Sequence, residues 1–286
     1  MAKRMYRLCM EGIVCACGAS ALELYRSSKR LIPTLLDKPR TGKVAGLMVP
    51  PRQFLEDDMT ARGVTKQPYH VLVDGNHGYN PRRDIHAVAC YHPLPPRSLI
   101  KIDKGFWVTS PELTFIQICA DEDLSDFDII CLGYELCGTY VLDDSWDGLT
   151  CIDEPLTSTE KIGRLINSIH RVPGIKRARN LIKHVHDLSN SPMETILAML
   201  VSLPTTKGGL GLGPISLNHP VATPVGQRRV DIGFPKQRVG LEYQGKEFHS
   251  IEAAGRDARR QNKIVGSGLT ILNVWYEDLI DEHLFQ

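Results

Sequence analysis

Four side chains toward the C-terminal end of the chain have the types and spacing to share one piece of chemistry. In the run from Arg238 to Gln244, strand alternation puts Val239, Leu241 and Tyr243 on one face and Gly240, Glu242 and Gln244 on the other. Two positions apart on one strand face is about 6.6 Å, so a carboxylate and an amide stand side by side. The run from Arg228 to Phe234 alternates in the same way, and a tight turn at Pro235-Lys236 folds it back so that Asp231 lies opposite them. Two carboxylates from adjacent strands offer the oxygen ligands that a hard divalent cation takes. Glu194, one turn into a helix that begins at Ser191-Pro192, would bring a third. The competing reading is that these acids decorate a solvent-facing sheet.

A second candidate set is basic. Between Lys161 and His186 the chain has seven Lys and Arg residues and no acid. Arg171, Lys176, Arg177, Arg179 and Lys183 are expected to contact phosphates without reading bases, which would make binding steeply salt-dependent. The alternative is a solvated helix face. The formal charge is +1 overall, but +4 from His170 onward and −3 before it, so the whole-chain figure hides an asymmetry. The eight cysteines lack the paired spacing of a zinc site and mostly fall in apolar runs, as in Ile118-Cys119-Ala120, where a reduced thiol behaves as a small hydrophobe.

A scaffold has to hold these groups. With 286 residues, 42% hydrophobic and 23% charged, the chain has material for a sizeable core in one large or two ordinary domains, which excludes wholesale disorder and coiled coil. It contains no apolar run of about 18 residues, the length a membrane span needs. Lys3, Arg4 and Arg7 precede an apolar stretch that is short for a signal peptide and interrupted by Glu11, so a cytoplasmic location is expected.

The spacing predicts a helix over Val14–Arg30 and strands at Tyr69–Asp74, Asp84–Tyr91 and Leu99–Val108. Helices follow from Ser110-Pro111 and over Phe127–Cys137. Two more helices cover Thr159–Ile169 and Ile175–His186, and another runs from Ser191 through Leu203. After a Gly/Pro-rich loop to Pro220 come the two strands around Asp231 and Glu242. A charged helix over Glu252–Gly266, a buried strand Leu269–Trp275 and a closing helix Glu277–Leu284 complete the chain. The acidic, irregular stretch near Pro155 marks a boundary. Residues 1–155 then form a mixed α/β domain, 156–190 a basic helical connector, and 191–286 a domain carrying the acids.

The runs VDIGFPKQRVGLEYQGKEFHS and RDARRQNKIVGSGLTILNVWYEDL resemble the PD-(D/E)XK nuclease-like superfamily, nearest to the DUF559 domain related to very-short-patch-repair endonucleases. The matching positions, in the family's order, are Glu194, Asp231, Glu242, Gly245, His249, Asp257, Arg260, Gly268 and the strand to Trp275. The resemblance covers roughly residues 190–286. It implies an α/β (α+β) fold with a restriction-endonuclease-like αβββαβ core at the C-terminus and a smaller mixed α/β N-terminal domain. It also implies metal-dependent cleavage of DNA, with Asp231, Glu242 and Glu194 on Mg²⁺ (or Mn²⁺), Gln244 positioning a water and His249 moving a proton. Arg256, Arg259, Arg260 and Lys263 suit phosphate contacts. The chain departs from the superfamily at Gln244, where Lys is commoner. An amide orients a water but neutralises no charge, so a catalytically silent DNA-binding or partner-binding regulator stands as the rival reading.

The stretch WVTSPELTFIQICADEDLSDFDIICLGYELCGTY is similar to abortive-infection antitoxins of the AbiEi type, at Trp107, Ser110, Pro111, Glu112 and Thr114. That similarity implies phage defence, or DNA repair through the nuclease-like half, and a cognate toxin as partner. A helix N-cap on a scaffold domain explains the same residues without a partner.

Overall fold

Buried β-branched and small apolar runs build a six-stranded sheet in the N-terminal part. The computed structural model describes residues 12–76, 82–145, 148–223, 226–244 and 268–280. The chain enters through β1 (Val14–Ala16), α1 (Gly18–Ser28), α2 (Ile32–Leu36), β2 (Arg40–Thr41) and α3 (Arg52–Thr60). It continues as β3 (Tyr69–Asp74), β4 (Ile85–Cys90), β5 (Leu99–Lys101) and β6 (Phe106–Thr109). The sheet order is β2-β5-β6-β1-β3-β4, with β1–β6 and β3–β4 parallel and the other pairs antiparallel.

Two expectations are corrected here. Val14–Ala16 is a central strand rather than the first turn of a helix, because Val-Cys-Ala is buried on both faces between β6 and β3. The helix begins only at Gly18, whose φ of +49° breaks the extended run. The Leu99–Val108 segment is a hairpin rather than one strand, turned where the Gly105 N–H donates to Asp103 Oδ1 at 2.9 Å.

Local capping chemistry sets the next helices. Ser110 Oγ accepts the Leu113 N–H at the start of α4 (Pro111–Ile118). Ser125 and Asp128 form a reciprocal capping box on α5 (Asp126–Cys137). A two-stranded sheet of β7 (Tyr140–Leu142) and β8 (Leu149–Cys151) follows, then α6 (Thr159–Ser168) and α7 (Ile175–Leu181). In the segment 156–190, expected as a basic helical connector, α6 and α7 both lie against α4 and each buries apolar residues.

The C-terminal part runs through α8 (Pro192–Ser202), β9 (Ser216–Thr223), β10 (Gly226–Phe234), β11 (Val239–Gln244), β12 (Thr270–Trp275) and α9 (Tyr276–Ile280). Its sheet has the order β12-β11-β10-β9. The first three strands in the chain are antiparallel neighbours, and β12 is parallel to β11. The stretch before Pro220, expected as loop, ends in β9. Proline is tolerated there because β9 is an edge strand whose outer side needs no donor. β12, expected to be buried, is the opposite edge, and Leu272 and Trp275 stay about half exposed. The predicted helix Glu252–Gly266 lies outside the described residues. One continuous apolar cluster extends from Val14 through Leu181 and Leu197 to Ile232, Leu241 and Val274. The N-terminal part, expected to be the smaller, carries the larger sheet.

Candidate functional site

Glu194 owes its position to the cap of α8. Ser191 is extended, its Oγ accepts the Glu194 N–H at 3.2 Å, and Pro192 occupies the first turn where no donor is needed. The carboxylate returns the contact: Oε1 accepts from the Ser191 hydroxyl at 3.3 Å and Oε2 from the Asn190 N–H at 3.0 Å. These bonds fix the side chain half-buried, within electrostatic reach of Asp231. Burial first and the Asp231 charge second push the Glu194 carboxyl up to a pKa of about 7, against the two hydrogen bonds, which pull it down.

Asp231 sits at a break in the sheet. The β10–β11 register runs from Phe234↔Val239 to Ile232↔Leu241, and continuing it would set Tyr243 opposite Val230. Instead the Tyr243 N–H donates to Asp231 Oδ2 at 2.8 Å. On the other side the β9 register passes from Val230↔His219 to Ile232↔Leu217 and skips Asp231 and Asn218, whose φ is +47°. Within β10, the Asp231 side chain thus adds a contact to the backbone of β11. Glu242, one step beyond Leu241, is 4% exposed. Gln244 follows two residues on and donates from Nε2 to Asn273 Oδ1 at 3.0 Å.

The expectation paired Asp231 with Glu242 and added Glu194. The coupling resolved here is between Asp231 and Glu194. Among the described residues, no three His, Cys, Asp or Glu groups lie together as a metal cage. The donors at hand are all oxygen, and a carboxylate whose charge raises its neighbour's proton affinity fits, with that neighbour, a hard divalent cation better than a soft one. Sequence reasoning missed Asn190, whose Oδ1 accepts from the Thr139 hydroxyl at 2.8 Å and from Asn218 Nδ2 at 3.3 Å. Its side chain thereby ties β9 to the residue before β7, while its backbone N–H holds Glu194. It missed Asn273 as well, the partner of the Gln244 amide. The Ser191–Glu194 spacing is a capping-box signal that would have tied Glu194 to Ser191.

The basic segment divides. Arg177 is tied into the fold: its Nε donates to Asp126 Oδ1 at 2.9 Å, and its other nitrogens to the Asp121 and Leu124 carbonyls at 2.8 and 2.6 Å. Arg179 donates to the Ile166 carbonyl at 3.3 Å. Arg171, Lys176 and Lys183 are exposed. His249, Arg256, Arg259, Arg260 and Lys263, with Gly245 and Asp257, lie outside the described residues. In the antitoxin-like stretch, Glu112 Oε1 accepts the Thr157 hydroxyl at 2.7 Å and Thr114 shares a 2.8 Å hydroxyl contact with Thr109, so both are internal ties. Burial pushes the buried Cys119 thiol up to about 12 and the half-buried Cys131 thiol up to about 11, away from the thiolate form.

No family model, curated protein or solved structure matches the chain. Among the described residues no helix is long and apolar enough to cross a membrane.

Proposed function

We propose that this protein is a metal-dependent DNA endonuclease, with a restriction-endonuclease-like αβββαβ core from α8 to β12. The observation that carries this reading is the Glu194–Asp231 pair: two half-buried carboxylates in which burial first and the Asp231 charge second push the Glu194 carboxyl up to about 7. Proteins rarely hold like charges together without a cation to share. The order of a helix, three antiparallel strands and a fourth strand parallel to the third supports the same reading.

Glu194 and Asp231 would hold Mg²⁺ or Mn²⁺, with Glu242 on the neighbouring strand. When bound, the cation supplies positive charge against the phosphate. Gln244 orients a water through its amide, and Asn273 fixes which end of that amide is free. Arg171, Lys176 and Lys183 meet the backbone of the duplex at a distance from the acids.

The test is cleavage of plasmid and single-stranded DNA in Mg²⁺ and Mn²⁺ with EDTA controls. Glu242→Ala is expected to abolish cleavage, and Gln244→Ala to lower it by about 10²–10³ while DNA binding persists. Cleavage that survives in Glu242→Ala refutes the assignment. The second reading, a silent DNA-binding or partner-binding regulator, is favoured by one observation: Gln244 brings no charge and its Nε2 is already bonded to Asn273. It predicts DNA binding without cleavage in any variant.

A further inference from the structure

A cleft of about 1810 Å³ opens mostly among residues of the N-terminal part and reaches Pro192, Thr195 and Ile196 of α8, while neither Glu194 nor Asp231 lines it. It is larger than the roughly 300–1000 Å³ of ordinary small-molecule pockets. One wall consists of residues 86–96 without a gap. A cleft lying on a sheet's face would touch alternate residues of a strand. The cleft meets alternate residues of β3, His70 and Leu72, on the face of the sheet, and consecutive residues of β4, so it runs over the face and onto the outer edge of β4.

β4 is the last strand of its sheet, and among the described residues it pairs only with β3. The direction of its peptide groups follows from the ladder. The Asp84 and Cys90 carbonyls accept from Tyr69 and Gly75 at 2.8 Å, so even-numbered residues turn toward β3. The N–H and C=O groups of Ala87 and Ala89 therefore point outward, into the cleft. Exposed edges of this kind are templates for an added strand.

The opposite wall offers apolar side chains, among them Leu22, Ile118, Leu132 and Val172. Its charge is one-sided. Arg26 is neutralised by Glu135, which it meets through two contacts at 2.8 and 2.6 Å. Asp121, Glu122, Asp123 and Asp128 then face only Arg171 among the remaining Lys, Arg, Asp and Glu of the lining. His70 adds no compensating charge near neutrality, because burial and then the stacked His86 lower its pKa. A polyphosphate would be repelled here, whereas Lys and Arg side chains would be drawn in.

We propose that this cleft binds an extended, basic polypeptide segment of a partner protein, added as a strand to the outer edge of β4. Main-chain bonds to Ala87 and Ala89 would hold it. Its apolar side chains would face the Leu22–Leu132 wall and its Lys or Arg side chains the acids at 121–123 and 128. This inference does not rest on the nuclease reading.

The probe is a fluorescein-labelled decapeptide of alternating Val and Lys, with a Val/Glu counterpart, titrated into the full chain and followed by anisotropy. The Val/Lys peptide is expected to bind, with salt-sensitive affinity, and the Val/Glu peptide to bind at least about tenfold more weakly. Ala89→Pro removes an outward donor that β3 does not use. It is expected to weaken binding by about tenfold with the melting temperature little changed. The double variant Asp121→Asn/Asp123→Asn should weaken it severalfold. Should Ala89→Pro fail to fold, hydrogen exchange on the wild type decides: the Ala87 and Ala89 amides must gain protection when the peptide is added. Equal binding of both peptides, no binding at millimolar concentration, or no protection at those amides overturns the proposal. So does tighter binding of an oligonucleotide to the same acids, or protection of these amides by self-association without peptide.

Discussion

The two sheets treat carboxylates in opposite ways. Beside the six-stranded sheet, acids meet cations. Arg26 grips Glu135, Lys29 reaches Asp143 at 2.8 Å, and Arg177 and Lys207 share Asp126. Hydrogen bonds from Lys207 and Arg177 hold Asp126 below the usual carboxylate range, and Lys29, Ser145 and Thr150 do the same for Asp143. Beside the four-stranded sheet, Glu194 faces another acid and is pushed upward. Opposite charges in contact lower the energy of the fold as it stands. Like charges in contact raise it until a proton or a cation joins them. These ion pairs of the first region therefore read as scaffold, whereas the Glu194–Asp231 pair of the second is the place where a bound cation would lower the energy.

The largest expected effect tests the scaffold half. Arg26→Ala leaves Glu135, 1% exposed, without its bidentate partner. It should cost about 3–5 kcal/mol in urea unfolding, partly relieved by the second substitution Glu135→Gln. A cost under about 1 kcal/mol would erase the contrast between the regions.

Glu194→Gln tests the other half. The folded state holds this proton more tightly than the unfolded chain, so the linked stability is full below about pH 4.5 and lost as pH rises through about 7. In metal-free buffer at pH 8 the variant should gain on the order of 2 kcal/mol over wild type, and near pH 4 the two should coincide. A destabilised variant at pH 8 would mean that the Asn190 and Ser191 hydrogen bonds outweigh the repulsion.

The smallest effect is local. Ser125→Ala removes the capping box of α5 and should lower stability by about 1 kcal/mol in thermal unfolding, with no change near the acids.

What was legible in the sequence was largely local. Ser110-Pro111, the Tyr69–Asp74 alternation and the turn at Pro235-Lys236 specify their own conformations within a few residues. The identity of β1 was not legible, because Val-Cys-Ala becomes a strand only once β6 and β3 flank it. Pro220 argued for loop because its position on a sheet edge is a tertiary fact. Arg177 looked like a free cation because Asp126 is 51 residues away. At the candidate site the hairpin of β10 and β11 was legible, and its register is recorded from Phe234↔Val239 to Ile232↔Leu241. The closeness of Glu194 to Asp231 depends on how α8 packs on the sheet, which no spacing encodes.

The central claim is that Glu194 and Asp231 wait for a divalent cation. Calorimetric titration of Mn²⁺ and Mg²⁺ into the full chain, repeated from pH 6 to pH 8 on wild type and Asp231→Asn, tests it most directly. The account predicts binding to wild type that strengthens as Glu194 loses its proton near pH 7, and its loss in Asp231→Asn. No binding up to millimolar metal at pH 8, or binding that Asp231→Asn leaves intact, would contradict it.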